Sequence, residues 1–83
     1  MNEAQANNLG YWLLGKRRVA EAVEVFKMNV EDFPGSSNAY DSLAEAYMVS
    51  GDKELAVINY RRSLELNPGN ANAVEMLKRL QDR

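Results

Sequence analysis

The chain has 83 residues, of which 46% are hydrophobic and 27% charged, and a formal net charge of −2; this is the balance of one small folded domain rather than of a disordered segment. It has no cysteine and no histidine, which excludes disulfides and removes the commonest general base and zinc ligand. Its acidity counts against nucleic acid as a partner, because that affinity rests on neutralising phosphates. The basic clusters Lys16-Arg17-Arg18 and Arg61-Arg62 read as solvated helix ends and faces. No apolar run approaches the ~20 residues of a membrane span. The opening MNEAQANN lacks the basic and apolar regions of a signal peptide. The expectation is a soluble chain that does not enter a membrane, with its compartment left open.

Apolar residues recur at helical spacing almost throughout, and no segment alternates with period two. Leu9, Leu13 and Lys16 outline a first helix over roughly residues 4–15. Within it Gly10 is expected to permit close helix approach and Gly15 to end the helix. Val19, Ala22, Val23, Phe26 and Val30 mark a second helix, closed before Pro34. Ala39, Tyr40, Leu43, Ala44 and Tyr47 mark a third, ended by Gly51. Leu55, Ala56, Ile58, Tyr60 and Leu64 mark a fourth, closed before Pro68. Ala73, Leu77 and Leu80 mark a fifth, reaching nearly to Arg83. Ser36 or Ser37 can cap the third helix, Asp52 the fourth and Asn70 the fifth, each offering a side-chain oxygen to orphan N–H groups. The fold class is all-α, with antiparallel helix pairs joined by short loops.

Residues 33–40 read FPGSSNAY and residues 67–74 read NPGNANAV, with Pro34 and Pro68 34 residues apart. At that offset Leu9 falls on Leu43, Ala22 on Ala56, Val23 on Val57, Glu31 on Glu65 and Gly35 on Gly69. Leu13 meets Tyr47, Leu14 meets Met48 and Phe26 meets Tyr60. A 34-residue helix–turn–helix unit ending in proline resembles the tetratricopeptide repeat. Tyr40, Leu43, Ala44, Tyr47, Ala56, Tyr60, Ser63 and Pro68 follow that family's pattern, with Gly51-Asp52 at the interhelix turn. The first unit gives Ala6, Leu9, Gly10, Leu13, Ala22, Phe26, Asn29 and Pro34. It departs at Ala6, Leu13 and Asn29, and its glycine comes two positions early in the turn. The resemblance implies two repeats, residues 3–36 and 37–70, plus a capping helix over 71–83, as a right-handed α-solenoid fragment in one domain. The stretch from Phe26 to Asn70 also resembles the tetratricopeptide tail at the C-terminus of many bacterial serine hydrolases.

Such repeats imply a non-enzymatic module that binds a protein or peptide on the concave surface formed by the first helix of each unit. Helical geometry puts Asn7, Tyr11 and Leu14 on that surface in the first unit, and Asn38, Asp41, Glu45 and Met48 in the second. The fifth helix adds Asn72, Glu75 and Arg79. The expected groove suits a segment with apolar and basic side chains. A carboxylate clamp is not supported, because the positions that would form it, Asn7, Tyr11, Ser42, Asn72 and Met76, offer no cation. Trp12, with Tyr11 nearby and Val19 and Val23 on the adjoining helix, is expected to form an apolar N-terminal edge. That edge suits a homodimer through the first helix pair, or docking on a catalytic domain in a full-length hydrolase. No SxxK or GxSxG nucleophile motif occurs. Asp41 and Glu45, four apart on one helix, read as a solvated face rather than an acid–base pair. No catalytic residue, metal ligand or cofactor is expected. An RNA-reading helical repeat is the runner-up, and the acidic groove argues against it.

Overall fold

A computed structural model describes residues 1–81. Five helices occupy them: α1 (Glu3–Gly15), α2 (Val19–Asp32), α3 (Ser37–Ser50), α4 (Lys53–Leu66) and α5 (Ala71–Gln81). The expected capping segment runs on to Asp82 and Arg83, which lie outside the described residues. Helices α1–α2 and α3–α4 form two hairpins; α3 packs back on α2 and also touches α1, and α5 packs on α4.

Each helix begins where a side chain can satisfy its orphan N–H groups, with two exceptions. Asn2 and Gln5 close a capping box on α1, each side chain accepting from the other's backbone N–H at 2.8 and 3.0 Å. Ser36 Oγ accepts from Ala39 N at 3.1 Å to cap α3, and Asn70 Oδ1 accepts from Ala73 N at 3.1 Å to cap α5. Asp52 stands at the N-cap of α4, but its side chain makes no cap bond, contrary to expectation. Arg18 at the head of α2 likewise caps with no side-chain bond; its guanidinium is turned onto Glu21 instead.

The two interhelix turns share one hydrogen-bond pattern at the 34-residue offset. Arg18 N donates to Leu13 O (2.9 Å) and Arg17 N to Leu14 O (3.0 Å); Asp52 N donates to Tyr47 O (2.9 Å) and Gly51 N to Met48 O (3.1 Å). This pairing closes a helix only if one residue turns left-handed. In the second turn that residue is Gly51, at φ 86°; in the first it is Arg17, at φ 62°. Gly15 is the last residue of α1, as expected, but it is not the left-handed residue of the turn. The turn geometry places the left-handed residue two positions after it, where this chain has arginine.

Two apolar clusters form the core. Leu13, Ala22, Phe26, Leu43 and Ala46 make the first, at the seam between hairpins. Ala44, Ala56, Tyr60 and Ala73 make the second, between α3, α4 and α5, joined by Met76, Leu77 and Leu80. Leu43, which shares the repeat pattern with Ala56 and Tyr60, lies apart from them in the first cluster because that face of α3 turns back toward α2, and Tyr47 bridges the two. Gly10 lies under the Phe26 ring, so close that an added Cβ would overlap three ring atoms. At the equivalent place in the second hairpin, Ala44 shares a cluster with Tyr60.

Leu9 is 36% exposed, although Leu43 at the same repeat position is 5% exposed. Trp12 is 53% exposed and its equivalent Ala46 is fully buried. The cause is position in the stack, since no hairpin within the described residues covers the outer face of α1. No helix among the described residues is long and apolar enough to cross a membrane.

Candidate functional site

Residues Asn38, Asp41 and Glu45 are spaced three and four apart along α3, and so form one stripe on its surface. They face a cleft of about 530 Å³ that runs from Tyr11 on α1, across α3, to the loop before α5. Ser37, Asn67, Gly69, Asn70, Ala71 and Asn72 complete its wall. The lining is almost wholly amide, hydroxyl and carboxylate.

A hydrogen-bond chain holds this wall in place. Asp41 accepts from Asn70 Nδ2 at 2.8 Å and from Asn72 Nδ2 at 3.0 and 3.1 Å. Asn70 Nδ2 also donates to Ser63 Oγ at 2.8 Å, Ser63 Oγ donates to Ser37 O at 2.8 Å, and Ser37 Oγ donates to Ser63 O at 2.9 Å. Because Asn70 Oδ1 is committed to capping α5, its amide can face the Asp41 carboxylate only with N–H groups. The Asp41 side chain is thereby oriented by two residues of the following segment.

At the other end, Tyr11 Oη donates to Glu45 Oε1 at 2.9 Å and lies 3.2 Å from Ser42 Oγ, which donates to Asn7 Oδ1 at 2.7 Å. The Tyr11 ring packs edge-on against Phe26, with centroids 5.2 Å apart. Burial pushes the Tyr11 hydroxyl up to about 12; the Ser42 hydrogen bond opposes this, and the nearby Glu45 and Asp41 charges add to it. Burial, with the same two carboxylates, also raises the Tyr60 hydroxyl.

The ion pairs among the described residues are Arg18–Glu21, Lys27–Glu24, Arg62–Glu65 and Arg79–Glu75. Asp41 and Glu45 take part in none of them. The cleft therefore carries two carboxylates that only neutral donors contact. Three acidic side chains do not converge anywhere among the described residues.

The expected groove residues divide between several surfaces. Tyr11, Asn38, Asp41, Glu45 and Asn72 line the cleft. Asn7 borders an adjoining recess with Glu3, Ala4, Asn8 and Asn38, and meets the cleft through Ser42. Leu14 is half-buried and packs on the first core cluster. Met48 packs on the second, where its Sδ accepts from Tyr60 Oη at 3.6 Å. Glu75 and Arg79 pair with each other at 3.0 Å and border a separate recess with Ala71, Val74 and Lys78 at the outer face of α5. The cleft is thus more polar than the sequence pattern implies. Sequence reasoning did not place Ser37, Asn67, Gly69, Asn70 and Ala71 on it, Asn70 having been expected only as a helix cap; the paired NPGN and PGSS loops were the available signal, since each leads into a groove-lining helix.

The expected edge residues also separate. Tyr11 faces α3, and Val23 packs on the cluster at the hairpin seam. Val19 is half-buried. The outer edge of the first hairpin is instead a recess of Leu9, Leu13, Ala20 and Val25 bordered by Glu21 and Glu24. Trp12 stands one turn on from Leu9, with Lys16 Nζ 5.7 Å from its ring centroid.

The hairpin α3–α4 with the loop that follows it is the stretch that known families describe. Residues 37–70 match the tetratricopeptide repeat model. The match covers the second hairpin and its closing Pro68-Gly69 loop, the same stretch that supplies most of the cleft wall. Tetratricopeptide repeats generally mediate protein–protein interaction, and the repeat with its all-α setting points to an interaction module. No curated protein matches the chain.

Proposed function

We propose that this chain is a non-enzymatic protein-interaction module whose cleft takes an extended segment of a partner protein, with a lysine or arginine of that segment placed against Asp41 and Glu45. In this reading residues 3–36 are a first repeat of the same kind and α5 is the cap. The observation that carries it is the pair of carboxylates on one stripe of α3, free of ion pairs among the described residues and set in a wall of amides that hydrogen bonds hold in place. Oriented neutral donors leave carboxylate lone pairs available to an incoming cation, and a side-chain ammonium or guanidinium gains charge-assisted hydrogen bonds there. Three serines near the cleft are engaged structurally: Ser36 in a cap and with Glu3, Ser42 with Asn7, Ser63 with Ser37.

Titration calorimetry with short peptides carrying Lys or Arg, against the same peptides with Gln, tests the reading. Binding should favour the basic peptides, weaken with salt, and fall at least about tenfold in an Asp41→Asn/Glu45→Gln double variant. Equal affinity for basic and neutral peptides, or salt-sensitive binding to a polyanion instead, counts against it. A second reading, a docking tail for a hydrolase catalytic domain, is favoured by the open apolar edge at Leu9 and Trp12, and co-purification with such a domain through that edge would support it.

A further inference from the structure

The carboxylates of Asp41 and Glu45 are held from opposite ends of the cleft. Asp41 accepts from Asn70 Nδ2 and Asn72 Nδ2, which belong to the segment after α4. Glu45 Oε1 accepts from Tyr11 Oη on α1, in the hairpin before α3. Residues four apart on a helix start only about 6 Å from each other at Cβ. Here each side chain is drawn to a different wall, so the two acids do not converge on one point.

Acceptor capacity remains at both ends. Asp41 and Glu45 are half-buried, and neither is in an ion pair among the described residues. Hydrogen bonds from the described residues reach Glu45 at Oε1 alone, which leaves Oε2 open. The Tyr11 oxygen, with its proton given to Glu45, keeps a lone pair beside it. A lysine ammonium is a compact, strongly hydrated point charge and gains most where acceptors converge on it. A guanidinium is planar, wider and more weakly hydrated, and donors on its separate edges reach acceptors that stand apart.

We infer that the cation this cleft takes is an arginine of the partner segment in preference to lysine, with one edge of the guanidinium on Asp41 and another on Glu45. The inference rests on the reading of the cleft as a site for a basic side chain, and narrows it. It makes the contact sensitive to methylation of that arginine. A methyl group on each terminal nitrogen keeps the charge but removes a donor from each, so the bridge is lost. Tyr11 and Asn72 are positioning residues in this account, because they set how far apart the acids stand.

Capped pentapeptides Ala-Ala-Xaa-Ala-Ala test this, with Xaa arginine, lysine, symmetric dimethylarginine or the neutral citrulline. They are titrated into the isotope-labelled chain by NMR, with the Asn70 and Asn72 side-chain amide signals as the readout. Arginine should bind about tenfold or more tighter than lysine, and dimethylarginine no tighter than lysine. In Tyr11→Phe and in Asn72→Ala, each checked for parental helicity by circular dichroism, the arginine advantage should shrink to about threefold or less. Lysine should gain in these variants, because a released carboxylate can close on its neighbour around one ammonium. Equal affinity for arginine and lysine, both above citrulline, overturns this inference and leaves the preference for cations standing. No advantage of either over citrulline overturns both. Dimethylarginine that binds as tightly as arginine overturns the bridge. So do variants that weaken the arginine and lysine peptides alike, since the advantage is then undiminished.

Discussion

The Tyr11 hydroxyl donates to the Glu45 carboxylate at 2.9 Å, and these two residues occupy the same position in consecutive hairpins, 34 residues apart. One contact therefore ties the two halves of the cleft together and anchors a carboxylate that we assign to partner binding. Tyr11→Phe keeps the edge-on ring packing on Phe26 and deletes the donor. A hydrogen bond to a charged acceptor is worth more than a neutral one, but this one is partly exposed, so the expected loss is about 1 kcal/mol in chemical denaturation. No change in midpoint would show that the pair contributes nothing to joining the hairpins.

The same hydroxyl makes stability depend on alkaline pH. Its folded value is raised from 10.0 to about 12, so between those values the folded state holds a proton that the unfolded chain has lost. That contribution is fully present below pH 10 and is lost as pH rises toward about 12. Tyr60 is raised as well and acts in the same direction. Denaturant midpoints should fall across this window, and less steeply in Tyr11→Phe; identical slopes for parent and variant would sink the assignment.

Arg17 occupies a left-handed turn position that its equivalent, Gly51, fills at no steric cost. Arg17→Gly is expected to stabilise the chain, by about 0.5–1 kcal/mol, because strain relief outweighs the added freedom of the unfolded state. Gly51→Ala should lose about 1 kcal/mol or more. Thermal melts of the two variants check both signs at once, and a destabilised Arg17→Gly would mean that the arginine side chain repays its backbone strain.

Gly10 has no room for a methyl group beneath Phe26. Gly10→Ala should cost about 1–3 kcal/mol by overpacking, despite the better helix propensity of alanine. Phe26→Leu in the same background should recover part of the loss, a coupling that a double-mutant cycle would read directly. Additive effects would place the strain elsewhere.

Asn29 is 1% exposed; its Nδ2 donates to Glu3 O at 3.2 Å, and its Oδ1 has no partner. Ser63, its equivalent, is fully satisfied by Asn70 and the Ser37 carbonyl. Asn29→Ser removes a buried orphan acceptor and can still reach the Glu3 carbonyl, so stability should hold or rise by up to about 1 kcal/mol. A loss of about 2 kcal/mol or more, measured by denaturant titration, would falsify this account of the site.

The five helices and their ends were legible in the sequence because each depends on neighbours a few residues away: an apolar spacing of three and four, a polar cap, a proline that cannot continue a helix. The repeat was legible for the same reason, since one local pattern recurs at a fixed offset. Gly10 against Phe26 could be foreseen from a missing side chain facing a ring one helix away. The left-handed Arg17 could not be, because the closing bonds from Arg17 and Arg18 select the position and override the preference of Gly15. What faces the cleft was decided by tertiary structure. Helical geometry puts Leu14 and Met48 on roughly the same side as Tyr11 and Asp41, but in the assembled fold both pack against the core clusters instead. Polar residues nearer the loops remain facing the groove, where Asn70 and Asn72, from the segment beyond α4, orient Asp41. Exposure of Leu9 and Trp12 was decided by stacking order alone, since a residue's repeat position says which layer it would bury against, and only the assembled fold says whether that layer is there.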